Sequence, residues 1–328
     1  MTQPVFLPPT MQRTRRAMLV AAGALLAAGR LSNAVAQAAS RPSGSASASN
    51  ATSGRRLRVV ASFSILADMT SALAGEGADV ASLVGPDADA HVYAPSPADV
   101  RRLASADLVV VNGLRLEGWL ERLIGASGYR GPVVVATKSV TPRAIGGGPD
   151  PHAWQSLRLA RAYVENIALA LKAAAPDRAA YFEERTRNYL TAIEQLDSTA
   201  RARFGAIPQD ERRVITSHDA FGYLGAAYGI EFIAPQGRNT DSEASAADVA
   251  RVIRQLKEQR VRALFVENIN DPRLIERIAK EAGVISGGRL YSDALSAPGT
   301  AADTYLKMYA HNVNTLADAM QAPPKAPR

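Results

Sequence analysis

At 328 residues and 47% apolar side chains, the chain is long enough for packed cores, either one two-lobed protein or two small domains. Its formal charge of +7 invites a nucleic-acid reading, but residues 1–54 carry five arginines and no lysine or acid. With those five set aside, 33 bases face 31 acids, so the folded part is near neutral and no nucleic-acid partner is expected.

The arginines belong to a leader. Thr14-Arg15-Arg16-Ala17-Met18-Leu19 precedes a weakly apolar, Ala/Gly-rich run from Val20 to Ala28. That pattern predicts a secretory signal peptide over residues 1–36, and the arginine pair points to the twin-arginine type. Arg30 interrupts the apolar run, which is too short to span about 30 Å of hydrocarbon. Ala34-Val35-Ala36 and Ala36-Gln37-Ala38 both offer small-x-small cleavage sites. Residues 37–54 are rich in Ser and Ala and are expected to be a disordered linker. Cysteine is absent, so neither a lipid-anchoring cysteine nor a disulfide is expected.

From Leu57 onward strand and helix patterns alternate. Leu57–Ala61 reads as a strand followed by a helix over Ser64–Leu73, with Ser64 as N-cap and Gly75 just past its end. Strands are predicted at Asp79–Val84, Leu108–Val111 and Val133–Ala136, with helices at Pro97–Ala104 and Glu117–Ile124. Ser96-Pro97 is a helix start, with serine as N-cap and proline in the first turn. The unbroken run Leu108-Val-Val-Val111 fits a strand covered on both faces. Gly146-Gly-Gly-Pro149 lacks the spacing and the Lys-Ser/Thr ending of a phosphate loop and reads as a plain connection.

Two helical stretches follow, Gln155–Ala174 and Asp177–Phe204, parted by Pro176. In the second, Phe182, Tyr189, Ile193, Leu196, Ala200 and Phe204 form one apolar face. Its length, roughly 42 Å at 1.5 Å per residue, is enough to run along two lobes. The cycle then repeats, with strands near Val214–Thr216, Glu231–Ala234 and Ala263–Val266. Helices are predicted at Ala220–Tyr228, Ser245–Glu258, Pro272–Ala282 and Ala302–Met320. The fold class is α/β, with two βα lobes and mainly parallel sheets.

Three of the four histidines fall in strand-to-helix connections, where α/β folds place their ligands. His91 lies in Asp87-Ala-Asp-Ala-His-Val-Tyr-Ala-Pro-Ser-Pro97, His152 in Asp150-Pro-His-Ala-Trp154 and His218 in Thr216-Ser-His-Asp-Ala-Phe-Gly-Tyr223. A fourth connection of this kind, Tyr291-Ser-Asp-Ala-Leu-Ser296, carries Asp293. Neutral imidazoles with one carboxylate suit zinc or a similar divalent first-row metal. Glu267 and Asn268, just past a strand, are candidates to support these ligands from behind. His311 sits mid-helix and reads as a packing or surface residue, as do Trp119 and Trp154, although Trp154 is also placed to shield a metal.

Together with Phe265-Val-Glu-Asn268, these motifs follow one order along residues 57–320 and resemble the metal-binding solute-binding proteins of ABC transporters, cluster A-I. The resemblance implies a free periplasmic receptor whose lobes are joined by a single long helix, with metal in the cleft between them. It divides the chain into an N-terminal lobe (55–175), a linking helix (176–204) and a C-terminal lobe (205–328). It also implies an inner-membrane ABC permease with its ATPase as partners, a monomeric state, and His91, His152, His218 and Asp293 as metal ligands; loading by a periplasmic metallochaperone is left open. The residues Thr141–Pro149 are short and lack histidine, so the His-rich loop of zinc-specific relatives is not expected.

The competing reading is an exported zinc-dependent hydrolase. Catalytic zinc keeps an open position for water, whereas three histidines and an aspartate close the sphere. No His-Glu-x-x-His helix or nucleophile elbow is present, and the consecutive Ser217-His218-Asp219 does not make a triad. A carrier without catalytic residues or a resident cofactor is therefore expected. Relatives of the manganese and iron branch place glutamate where His218 stands, so zinc is the expected cargo and manganese the alternative.

Overall fold

The computed structural model describes residues 55–322, apart from 243, 259, 260, 262 and 285. The expected signal peptide (1–36) and linker (37–54) lie outside the described residues.

The first lobe begins with β1 (Leu57–Phe63), α1 (Ser64–Ala74), β2 (Ala78–Val84), α2 (Pro97–Ala104) and β3 (Leu108–Val111). It continues with α3 (Leu120–Ser127) and β4 (Val133–Val135). The strands are parallel in the order β2-β1-β3-β4, with Val59 opposite both Val80 and Leu108. All four residues of β3 are buried, as expected for a strand covered on both faces. The predicted cap of α2 forms: Ser96 Oγ accepts the Asp99 N–H while the Asp99 carboxylate accepts the Ser96 N–H, behind Pro97. Ser64 is different, since it makes no cap bond and its hydroxyl accepts the Leu295 N–H from the other lobe at 3.0 Å. The third helix starts three residues later than predicted because Glu117 turns inward as a buried acceptor.

The plain connection expected at 146–149 is instead the end of a hairpin, β5 (Ala144–Ile145) and β6 (Gly148–Pro149). Gly146 and Gly147, at φ 51° and 78°, occupy its two-residue turn, where positive φ at both positions matches the strand twist. Then come α4 (Leu157–Ala174) and α5 (Ala179–Gly205), separated by a short 3₁₀ turn at Pro176–Arg178. The 27-residue α5 buries Phe182, Ile193, Ala200 and Phe204 and links the lobes.

The second lobe comprises β7 (Arg213–Ile215), α6 (Gly222–Tyr228), β8 (Glu231–Ile233), α7 (Ala246–Glu258), β9 (Ala263–Glu267), α8 (Arg273–Ala282), β10 (Ser286–Leu290) and α9 (Tyr305–Gln321). Its parallel sheet reads β8-β7-β9-β10, the topology of the first lobe repeated. Sequence reading missed β10, because Ser-Gly-Gly-Arg-Leu lacks β-branched residues. Glycine is needed there: a side chain at Gly287 would collide with the Phe265 ring, and Gly288 sits at φ 106° beside a register shift.

Each sheet reverses its strand order once, between β1 and β3 and between β7 and β9. Ligands in open α/β sheets bind beyond the carboxyl ends of strands at such points. One large core fills the first lobe and extends through α4, α5, α6 and α9. A smaller one, including Ile215, Val252, Leu264 and Ile278, lies between the second sheet and the helices α7 and α8.

Candidate metal centre

The four predicted residues converge. One ligand atom from each of His91, His152, His218 and Asp293 lies within 4.8 Å of the others. His91 Nε2 is 3.3 Å from His152 Nε2 and 3.1 Å from Asp293 Oδ2. Asp293 Oδ2 is 3.2 Å from His218 Nε2, and Oδ1 is 3.7 Å from His152 Nε2. A tetrahedron with bonds of about 2.0–2.1 Å has edges of about 3.3–3.4 Å, close to these four separations, so the cluster has the size to hold a single cation. His152, His218 and Asp293 are fully buried, and the His91 side chain is 3% exposed. Asp293 Oδ1 has no hydrogen-bond partner within this buried centre, and His218 Nε2 has only the Asp293 carboxylate near it, so both atoms are disposed toward a shared ligand.

Local structure aims each imidazole. Asp89 Oδ1 accepts the His91 N–H at 2.8 Å, and Trp119 Nε1 donates to the Ala90 carbonyl at 2.8 Å, fixing the loop between β2 and α2. Asp150 Oδ1 accepts both the His152 N–H, at 3.0 Å, and its Nδ1–H, at 2.8 Å. His218 follows β7, and its Nδ1 lies 2.5 Å from Glu267 Oε2 at the end of β9, across the second switch point. A carboxylate behind Nδ1 fixes the tautomer with its lone pair on Nε2, toward the centre.

The loop bearing Asp293 is held from two sides. Trp154 Nε1 and Gln155 Nε2 donate to the Ser292 carbonyl at 2.9 and 2.8 Å. Asn312 on α9 brackets Tyr291, accepting its N–H at 3.0 Å and donating to its carbonyl at 2.7 Å. The hydroxyls of Tyr305 and Tyr309 in turn hold the carbonyls of Trp154 and Gln155. Thus the residues just after His152 and the residue just before Asp293 are fixed to one another across the lobes.

Burial opposes charge on His218, but the carboxylates of Glu267 and Asp293 outweigh it and hold the imidazole well above its usual range. Burial would likewise raise Asp293, yet His218 and His152 pull it well below the usual carboxylate range. With Asp150 and Glu267 behind the imidazoles, the surroundings favour positive charge at the centre.

His311 lies apart from the cluster, with Nε2 directed at the Arg289 carbonyl 3.0 Å away and its ring edge-on to Tyr291. Trp154 is fully buried, its ring edge-on to His152 at 5.3 Å. Of the two supporting candidates, Glu267 touches His218, whereas Asn268 bonds to Asp87 and to the Ala294 carbonyl. The support from Asp150 was not anticipated. Its signal was present as a repeated Asp-x-His, at Asp89-Ala-His91 and Asp150-Pro-His152.

Residues 59–319 match the family described as zinc-uptake complex component A, periplasmic (ZnuA). The manganese-binding lipoprotein MntA of Bacillus subtilis is 34% identical over 277 residues, spanning 81% of this chain and 90% of that protein. The iron-binding protein YfeA of Yersinia pestis is 33% identical, over 80% of this chain and 86% of that protein. Among solved structures, the periplasmic zinc-binding protein TroA of Treponema pallidum superposes with a TM-score of 0.78 at 29% identity. That match covers 81% of this chain and 99% of TroA. The chain therefore belongs to this family of metal-binding solute-binding proteins of ABC importers, which are receptors and not enzymes.

Proposed function

We propose that this receptor captures Zn²⁺ through His91, His152, His218 and Asp293 and delivers it in the periplasm to an ABC permease and its ATPase. The observation that carries the reading is the set of four buried ligand atoms, 3.1–3.7 Å apart where paired, three of them imidazole nitrogens. Imidazole suits zinc, and the Irving-Williams order favours it at such a site. The arginine-pair leader in residues 1–36 supports export, and the chain is taken to act as a monomer.

Manganese is the second reading, favoured by one observation: both Asp293 oxygens face the centre, which offers a hard bidentate donor. The name of MntA, a manganese binder, points the same way.

Competition titration of purified protein with Zn²⁺ and Mn²⁺ decides between them. One equivalent of Zn²⁺ is expected to bind in preference. His91→Ala, His152→Ala and His218→Ala should each weaken it by more than about 100-fold, and His311→Ala should leave it unchanged. Wild-type affinity in both the His91→Ala and His152→Ala variants would overturn the ligand assignment. A preference for Mn²⁺ would overturn the cargo alone.

A further inference from the structure

A short irregular segment of the second lobe, Gln236 to Thr240, reaches all three histidine-bearing loops. Gln236 forms a parallel bridge with His218, and the Asp219 N–H donates to the Gly237 carbonyl at 3.3 Å. Arg238 crosses to the first lobe, where Nη1 donates to the carbonyls of Ile145 and Pro149 at 3.0 and 3.1 Å. Those carbonyls belong to the β5–β6 hairpin that runs directly into Asp150 and His152. Thr240 also crosses, and its hydroxyl donates to Asp89 Oδ2 at 2.5 Å while Asp89 Oδ1 holds the His91 N–H.

Two further details characterise this segment. The hairpin is shaped to receive Arg238, since a methyl group at Gly148 would collide with the guanidinium. Unlike the fully buried Trp154 and Gln155, both Arg238 and Thr240 are half-buried. Thr240, Asp89, Gln236 and Ser217 line a cavity of about 440 Å³, so it adjoins the chain segments next to His91 and His218. The cavity leaves the Thr240–Asp89 bond part-buried and open to competition from solvent, so this contact can open without unpacking a core.

We propose that Arg238 and Thr240 are positioning residues of the metal site, forming a strap that holds the His91 and His152 loops against the second lobe and sets the rate of cation release. The inference rests on the reading of His91, His152, His218 and Asp293 as the ligands. The strap touches no ligand atom; it acts through Asp89 on His91 and through the hairpin on Asp150 and His152. Contacts that hold the ligand-bearing loops together stabilise the bound state, and their loss appears mainly as faster dissociation.

The test is stopped-flow release of Zn²⁺ to a chelator, with the absorption spectrum of the Co²⁺-loaded protein reporting the ligand set. Thr240→Val and Arg238→Ala should each speed release about tenfold. Thr240→Ser, which keeps the hydroxyl, should restore the wild-type rate. Gly148→Ala displaces the guanidinium but keeps its charge, so it should match Arg238→Ala if contact, and not long-range repulsion, is what matters. The Co²⁺ spectrum, the stoichiometry and the metal-free melting curve should stay as in wild type, which a general loss of structure would not allow. Wild-type release in Thr240→Val and Arg238→Ala, with His91→Ala defective as expected, would overturn the strap alone. Wild-type affinity in His91→Ala would overturn the ligand reading and the strap with it.

Discussion

Glu117 and Glu267 play matching parts in the two lobes: Glu117, in the loop that follows β3, and Glu267, the last residue of β9, each tie the end of their lobe's third strand to the end of its first. Both are buried. Glu117 accepts the Ser62 hydroxyl and the Asn112 N–H at 2.6 Å each, and the Gly113 N–H at 3.1 Å. Burial pushes its carboxyl up, against the pull of those donors. Glu267 accepts the N–H groups of Ser217 and His218 at 2.7 and 2.9 Å, and its other oxygen faces His218 Nδ1. The same device, a carboxylate tying two strand ends together at a switch point, is thus structural in one lobe and joined to the metal centre in the other. What differs is a single imidazole within reach, and position in the fold alone does not decide the role.

The largest effect that separates the two is on folding. Glu117→Ala leaves one hydroxyl and two N–H groups without acceptors in a dry interior, and should cost about 3–5 kcal/mol. Thermal melting should show a large drop, while folded protein keeps one metal equivalent at near wild-type affinity. If affinity fell in step with stability, the first-lobe carboxylate would belong to the site after all.

Glu267→Gln should reverse the pattern. The amide oxygen still accepts backbone N–H groups, but a neutral amide no longer stabilises the Nδ1–H of His218. Metal affinity should drop about 10–100-fold, with metal-free stability changing much less. Calorimetric titration beside melting curves separates the two quantities, and an unchanged affinity would refute the support assigned to Glu267.

Why one carboxylate was legible in the sequence and the other was not follows from the same contrast. The ligands stand in polar loops between strongly patterned strands and helices, so His91, His152, His218 and Asp293 could be singled out before any geometry was known. Glu267 could be suspected because it directly ends an apolar strand. Glu117 looked like an ordinary first-turn helical acid, and only tertiary structure turns it inward. Long elements such as α4, α5 and α9 were clear from their apolar periodicity, whereas β10 was hidden by two glycines, Gly287 making room for the Phe265 ring and Gly288 taking a positive φ. The contacts of Arg238 and Thr240 left no local signal, because their partners lie 93 and 151 residues away.

A smaller effect concerns metal choice within the second lobe. His218→Glu would place a carboxylate against Glu267, so two like charges would share one buried position, and total affinity should fall for every metal. Coupling it with Glu267→Gln removes that repulsion and isolates the donor change from nitrogen to oxygen. In the double variant the zinc-to-manganese affinity ratio should be about tenfold lower than in Glu267→Gln alone. Competition titrations with an unchanged ratio would mean that the donor at 218 does not set selectivity.

A third carboxylate, Asp68 on α1, supplies the smallest effect and a control for the other two. It accepts the N–H of Tyr305 at 2.8 Å where α9 begins, tying the last helix to the first lobe far along the chain from any ligand. Burial raises its pKa to about 6, with Asp303 adding repulsion and the Tyr305 N–H and Lys307 opposing. The unfolded value is about 3.9, so between about pH 4 and 6 the native state holds a proton that the unfolded chain has lost. Stability from this group is therefore complete below about pH 4, declines as pH rises to about 6, and is flat above. Asp68→Asn keeps an acceptor for Tyr305 and cannot ionise. It should remove that decline and leave the protein about 1 kcal/mol more stable than wild type at pH 7, a partial-exposure discount on the full shift. Denaturant melts of metal-free protein at pH 4.5 and 7 measure the difference. Parallel pH dependences in wild type and Asp68→Asn would show that Asp68 ionises as an ordinary surface acid, while altered metal affinity in the variant would tie this helix contact to the site.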